Sequence, residues 1–512
     1  MMGMVGLLAC TTPLPPLTEV SSTSPSEPDS TSAPVCPGTS PQPTVRITPH
    51  PDLANLQTAT VTLSTAAPVA LRCTAAADPS DQLFWESADV SMTHTVALGG
   101  LVAEREYRCA AAVTCPPSAP TAFDLTTTAL PPRIPATTVE THATLQPDAA
   151  HPHFIVNHTR HCEDDVTHRL LVYDLAGDLR WYYNQLPGRT PIAINAHYAG
   201  QGRFVWGGGW TREGATEMVG LDQSLLDKAA FPGSQPLIFH HEGRRLPDGR
   251  LLTLTQSRND VGGPDWEGFT VRLVDPEADA VTWSWDSQQG VDAGLLPTGT
   301  GDVYHANAAE VFDTDEGPVV VVSLCYTTQI IAVDMATERL RWRFGPGGDF
   351  TLRDAQGGSL PDSEYPDCQH GIELVDGNRL LVYDNGRNFR SHSRASEYVL
   401  DEVTMTATLV WTWTEPQWHE GALGDIDRLS EDRLLITEAH PDCWSFLPGD
   451  LSATVEVDRP TGEVAWRHRF LDPMDATYRS DRFDGCDAFP QIRYCPTVAA
   501  RASALSKILP DP

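Results

Sequence analysis

Three histidines recur at nearly equal spacing along this chain, each shortly ahead of an apolar, strand-like run. His241 stands in HHEGRRLPDGRLLTL, His305 in VYHANAAEVFDTDEGPVVVVS and His370 in CQHGIELVDGNRLLVYDNG, 64 and 65 residues apart. A repeat that returns one side chain to the same place in successive units gathers those side chains round an axis. Imidazoles packed together stay neutral, because one charged ring disfavours charging the next. A neutral ring is a nucleophile, and a second ring can hand a proton to a departing oxygen. Such a set suits transfer of an electrophilic group between two oxygens through a covalent histidine intermediate. Asn307 lies two residues after His305 and points the same way on an extended segment. His197, in INAHYAGQGRFVW, and Asp425, in GALGDIDRLSEDRLLIT, take comparable places in flanking units.

Those units repeat from about residue 150. Each holds an apolar strand, a strand ending in Asp, a turn, and a strand ending in Trp: Asp174 and Trp181, Asp275 with Trp283 and Trp285, Asp334 and Trp342, Asp401 and Trp411, Asp458 and Trp466. A degenerate sixth copy surrounds Asp222, and the aspartates fall 48, 53, 59, 67 and 57 residues apart. Spacing of that order fits four-stranded blades, so the sequence predicts an all-β fold whose main part, 150–512, is a six-bladed β-propeller. The Asp-turn pairs close hairpins, the tryptophans pack between blades, and the tail after Phe470 helps to close the ring. In a propeller the innermost strand of each blade starts beside the channel. We therefore expect the histidines in the loops leading into those strands.

Ahead of the repeats, residues 43–132 read as a small β-sandwich. Thr58–Leu71 is strand-like, and Leu98, Leu101 and Tyr107 have the spacing of a tyrosine corner. Cys73, Trp85 and Cys109 follow in the order that suggests a Cys73–Cys109 bridge between sheets, and the stretch resembles a fibronectin type III module. Residues 133–149 are expected to form a linker. At the N-terminus Leu7-Leu8-Ala9-Cys10 resembles a lipobox, so 1–10 reads as a lipoprotein signal peptide ending at a lipidated Cys10. The Ser/Thr/Pro-rich stretch 11–42 reads as a solvated tether. The expected location is the bacterial cell envelope, with a lipid anchor in the membrane.

Eleven cysteines fit that compartment: with Cys10 set aside, an even ten remain for disulfides, Cys486 with Cys495 being a local candidate, and no CxxC suggests zinc. The net charge of −33, without a Lys/Arg run, argues against nucleic-acid partners and against adhesion to anionic lipid. A content of 41% hydrophobic residues with 13 Trp indicates a folded chain, and no segment reaches the roughly 18 apolar residues of a spanning helix.

Taken together, HHEGRRLPDGRLL, DVYHANAAEVFD, YPDCQHGIELVDGNRLLVYDNG and SRASEYVLDEVTMTATLVWTW resemble the bacterial arylsulfate sulfotransferase family over about residues 135–470. The resemblance implies an exported six-bladed propeller that moves a sulfuryl group from an aryl sulfate to a phenol without a nucleotide donor, and it implies no cofactor and no metal. His370 would be the nucleophile that becomes sulfohistidine, His241 and His305 would line the pocket, and Asn307 would help to hold the sulfuryl oxygens. One departure stands out. Relatives carry an arginine on the strand after the His-x-Asn motif, where this chain has Cys325. Arg394 or Arg387, from the next blade, could substitute, and His197 could join the substrate pocket. Cys325 and Cys368 would meet at the funnel, as a disulfide or as part of a metal site with the histidines. The alternatives are a non-catalytic, lipid-anchored propeller that binds a ligand or surface partner, and a quinone-cofactor dehydrogenase, which the count of six repeats disfavours.

Overall fold

The computed structural model describes residues 40–132, 134–147, 154–161, 168–184, 192–209, 216–222, 225–229, 238–258, 266–275, 278, 280–314, 316–416, 418–439, 451–492, 495 and 509. Cys10 and nearly all of the 11–42 tether lie outside the described residues.

Runs such as Val319–Val322 are buried on both faces, the pattern of strands sandwiched between layers, and β-branched residues suit that pleated surface. From Phe154 onward the strands form six sheets, each with four antiparallel strands in up-and-down order. Blade 2 contains Ile192–Tyr198, Arg203–Gly209, Thr216–Gly220 and Leu225–Ala229. Blade 3 contains Ile238–Arg245, Leu251–Arg258, Trp266–Asp275 and Ala280–Asp286; blade 4 contains Ala306–Thr314, Gly317–Leu324, Gln329–Asp334 and Arg339–Phe344. Blade 5 runs Ile372–Val375, Arg379–Asp384, Arg394–Asp401 and Thr406–Trp413, and blade 6 runs Asp425–Ser430, Arg433–Glu438, Ala453–Asp458 and Glu463–Phe470.

Blade 1 joins the two ends of the ring. The late strand Asp475–Phe483 pairs with Phe154–His161, which continues to His168–Asp174 and Leu179–Asn184. The first strand of each blade touches the first strand of the next, and Asp475–Phe483 touches those of blades 6 and 2, so the circle closes. The protein is a six-bladed β-propeller preceded by a small β-sandwich.

The repeated tryptophans work as seam bonds. The indole N–H of Trp181 donates to the Leu221 carbonyl, Trp283 to Met335, Trp411 to Arg459 and Trp466 to Leu175, while Trp342 donates to the Glu402 carboxylate. Each acceptor lies in the hairpin turn of the following blade. The repeated aspartates hold those turns: Asp174, Asp334, Asp401 and Asp458 accept from backbone N–H groups two to four residues on.

Two expectations about the N-terminal half need correction. Cys73 and Cys109 are bonded, but they face each other in register on adjacent strands rather than bridging two sheets. The reason is that Gln57–Ala75 is long: its first half pairs with Thr44–Pro49 and the end of Gln82–Leu98, its second half with Glu106–Val113 and the start of Gln82–Leu98. One continuous sheet thus bends, at register breaks between Thr62 and Val69, to make the sandwich. The 133–149 stretch is also more than a linker, since Thr137–Thr141 adds a fifth strand to blade 6. Tyr107 forms its corner, accepting from the Val102 N–H and donating to Asp81. Asp81 also pairs with Arg180 of blade 1 at 2.8 Å, so the module is tied to the ring by a buried ion pair.

Candidate active site

An ideal strand alternates its side chains, so one innermost strand gives the channel every second residue. Register breaks relax that rule here. They fall between Phe239 and Gly243, between Ala306 and Ala308, and between Thr477 and Ser480. Bulges of this kind re-aim side chains. They let His241 and Glu242, and again Tyr478 and Arg479, form inward contacts from consecutive positions.

His241, expected in a loop, is on the innermost strand of blade 3, and the run beginning at Leu251 is the second strand; His305 and His370 lie just before Ala306–Thr314 and Ile372–Val375. The shift reflects the polar channel, whose innermost strands carry less apolar sequence than the second strands. His241, His305 and Cys368 have φ of 62°, 48° and 48°, a left-handed conformation costly for L-residues and concentrated at functional sites.

The rings converge. His241 lies 4.7 Å from His305 and 6.1 Å from His370, centroid to centroid, and Tyr478 lies 5.2 Å from His370. His241, Asp302, Tyr304 and His305 line a narrow cleft, and His370 is buried beside His241. The Nδ1 of His370 is 2.8 Å from the carbonyl of Gly424. A carbonyl only accepts, so Nδ1 carries the hydrogen and Nε2 keeps its lone pair, toward which the Tyr478 hydroxyl donates at 3.2 Å. Two glycines make this possible. A Cβ on Gly371 would sit 2.8 Å from the Cα of Asp425, and one on Gly424, at φ +93°, would strike the Tyr383 ring.

His305 Nδ1 pairs with Asp302 at 2.6 Å. Asp302 is placed by the short strand Gly301–Asp302, laid parallel to Trp266–Asp275. Asn307 donates its amide to the Gln369 carbonyl at 2.9 Å, so it braces the His370 loop from the neighbouring blade.

Arg479, which the sequence reading missed, is the hub beneath the rings. It donates to Glu242 at 2.9 Å and to the Asn307 carbonyl at 2.7 Å, and it stands 3.6 Å from Asp425. One buried guanidinium from blade 1 therefore ties blades 3, 4 and 6. Burial and the Arg479 cation push the His370 imidazole well below its ordinary pKa, so the ring is neutral. Burial favours protonating Glu242, but Arg479 and His197 overcome it and hold the carboxyl well below its usual range. His197 does not join the three rings. It lies between Glu242 at 3.7 Å and Asp481 at 3.4 Å, whose hydrogen bonds outweigh burial and raise its pKa.

Farther along the same strands, burial pushes Glu310 up to about 8 and Glu373 to about 7. Arg394 is away from the rings, engaged with Asp384 at 2.9 Å and Glu364 at 2.8 Å. Arg387 does reach the mouth, 5.9 Å over the Tyr326 ring.

Cys325 and Cys368 are bonded to each other, so neither is a free thiol for ligand or metal. Among the described residues, no group of three or more His, Cys, Asp or Glu could hold a metal ion. The disulfide closes a sequence separation of 43 and flanks both His305, whose carbonyl accepts from the Cys325 N–H at 3.3 Å, and His370. Replacing both cysteines by serine should cost roughly 2–4 kcal/mol, read from urea unfolding with and without reductant. A midpoint insensitive to both changes would contradict this staple.

Comparison with known proteins now adds a decisive observation: the profile of the family Arylsulfotransferase (ASST) matches residues 138–479. This chain belongs to the arylsulfotransferase family. The match spans all six blades of the chain up to Arg479. No curated protein matches the chain. Solved structures similar to it include a putative 6-phosphogluconolactonase from Bacteroides fragilis NCTC 9343, 13% identical, covering 82% of this chain and 98% of that one at a TM-score of 0.35. A second, from Bacteroides uniformis ATCC 8492, is 13% identical over 81% and 99% with a TM-score of 0.36. Likeness at that level adds nothing to the sheet order.

Proposed function

We propose that this family member moves a sulfuryl group from an aryl sulfate to a phenol by a ping-pong route through sulfohistidine at His370. The observation that carries this is the fixed tautomer of His370: a neutral ring with its Nε2 lone pair facing its partner rings. The donor ester displaces the Tyr478 hydroxyl from Nε2. The N–S bond forms as the ester S–O bond breaks, and the departing phenolate takes a proton from His305 Nε2, with Asp302 balancing the charge while that ring holds two protons. In the second half an acceptor phenol gives its proton to His305, its oxygen attacks sulfur, and the N–S bond breaks to restore His370. His241 borders the developing charge, and the second amide hydrogen of Asn307 is available to a sulfuryl oxygen.

The same reading puts the protein in the cell envelope, anchored through Cys10. It is supported by the lipobox-like start and by the disulfides Cys73–Cys109, Cys325–Cys368 and Cys486–Cys495, which persist in oxidising compartments.

Chromogenic phenol release tests this reading. Without acceptor, one equivalent of phenol should appear in a burst; with acceptor, turnover should continue. A group whose pKa is lowered stays neutral as pH falls through the ordinary imidazole value of 6.5, so the burst should keep its rate below that pH. No burst at all would overturn the route, and a burst lost through half-titration near 6.5 would contradict the buried neutral nucleophile.

A further inference from the structure

Tyr326 is 51% exposed, yet its ring is ordered on the site: it stacks on His305 at 4.6 Å with planes 20° apart. Its backbone is held from two sides. The Tyr326 N–H donates to the carbonyl of the cleft residue Tyr304 at 3.1 Å, and the adjacent Cys325 is bonded to Cys368 of the His370 loop. The ring therefore forms a fixed aromatic wall at the mouth, on the seam between blades 4 and 5.

Arg387, from the exposed loop after Arg379–Asp384, completes the wall at 5.9 Å from the ring centroid, the outer limit of a cation–π contact. Its neighbours Arg390 and Arg394 both pair with Asp384, whereas among the described residues the Arg387 guanidinium makes no hydrogen bond or ion pair. In a chain with 68 acidic and 35 basic residues, this cation stands over the ring that stacks on His305. The net charge of −33 repels any anion approaching from solvent. A cation beside the His305 stack offsets that repulsion for an anionic ester.

Building on the transferase reading, we propose that Tyr326 and Arg387 form an entrance subsite that captures the aryl sulfate donor, Arg387 meeting the sulfate oxygens and Tyr326 flanking the aryl ring. Neutral phenol acceptors have no use for the cation, so the subsite discriminates donor from acceptor. A guanidinium at the limit of its aromatic contact swings to an anion at little cost.

The test uses the full chain with 4-methylumbelliferyl sulfate as donor and a neutral phenol as acceptor. Arg387→Gln should lower kcat/KM for the donor about tenfold at low ionic strength, the gap narrowing as salt rises. The loss should fall on KM, Arg387→Lys should restore most of it, and the rate of the neutral-acceptor half-reaction should not move. Tyr326→Ser should raise the donor KM at every salt concentration. Unchanged donor kcat/KM in Arg387→Gln at low salt, or an equal slowing of the neutral acceptor, would overturn the subsite. Fluorescence binding of the same ester to the His370→Ala protein, with and without Arg387→Gln, separates the two readings. If the wild type transfers nothing, the transferase reading fails, while weaker binding without Arg387 still supports the subsite and equal binding overturns it.

Discussion

His370→Ala should release phenol from an aryl sulfate about 10⁴–10⁶-fold more slowly than the wild type, the scale seen when a covalent nucleophile is removed. Only the rings and donors that surround the ester would remain to help. The fold should survive, because among the described residues the ring's polar contacts are one bond to the Gly424 carbonyl and one from Tyr478. Urea unfolding of the same preparation checks that. His305→Ala should lose less, since water can supply and accept a proton whereas nothing else can carry the sulfuryl group. Equal activity in His370→Ala and wild type would remove His370 from the chemistry.

The second large effect concerns stability. Arg479→Met should destabilise the propeller by about 3–5 kcal/mol, because it strands the buried carboxylates of Glu242 and Asp425. Arg479→Lys should lose less, keeping the charge but not the fork that reaches both Glu242 and the Asn307 carbonyl. The cation also holds the His370 pKa down, so whatever activity survives in Arg479→Met should have its acid limb moved to higher pH. Urea midpoints and a pH–burst profile read both effects. Unchanged stability would mean that the carboxylates are neutral or hydrated.

The sequence carried the ring well because its seams are chemical. A turn aspartate and an outer-strand tryptophan recur, and each pair reports one hairpin and one contact between blades. His241, His305 and His370 were legible for a related reason, since equal spacing in a closed repeat means convergence. Tyr478 and Arg479 were not. They lie on a strand that belongs to blade 1 only through circular closure, more than 300 residues from its pairing partner Phe154–His161. The bulge that turns both of them inward breaks the alternation by which one would normally be assigned to the back of the sheet. The signal available was TYRSDRF after the last tryptophan, a polar strand where a sixth innermost strand was still owed. Glu242 was overshadowed by His241 beside it. Arg394 was a reasonable candidate by position, but Asp384 and Glu364 claim it, and such partners on neighbouring segments are invisible before folding.

The account rests on one nitrogen, Nε2 of His370, being free, neutral and reachable from the ester's sulfur. Mixing the protein with aryl sulfate alone, quenching in base and mapping the peptides by mass should place one sulfuryl group on His370. That group should be lost when phenol is added before the quench. An unmodified His370, in protein that demonstrably consumes the donor, would contradict it.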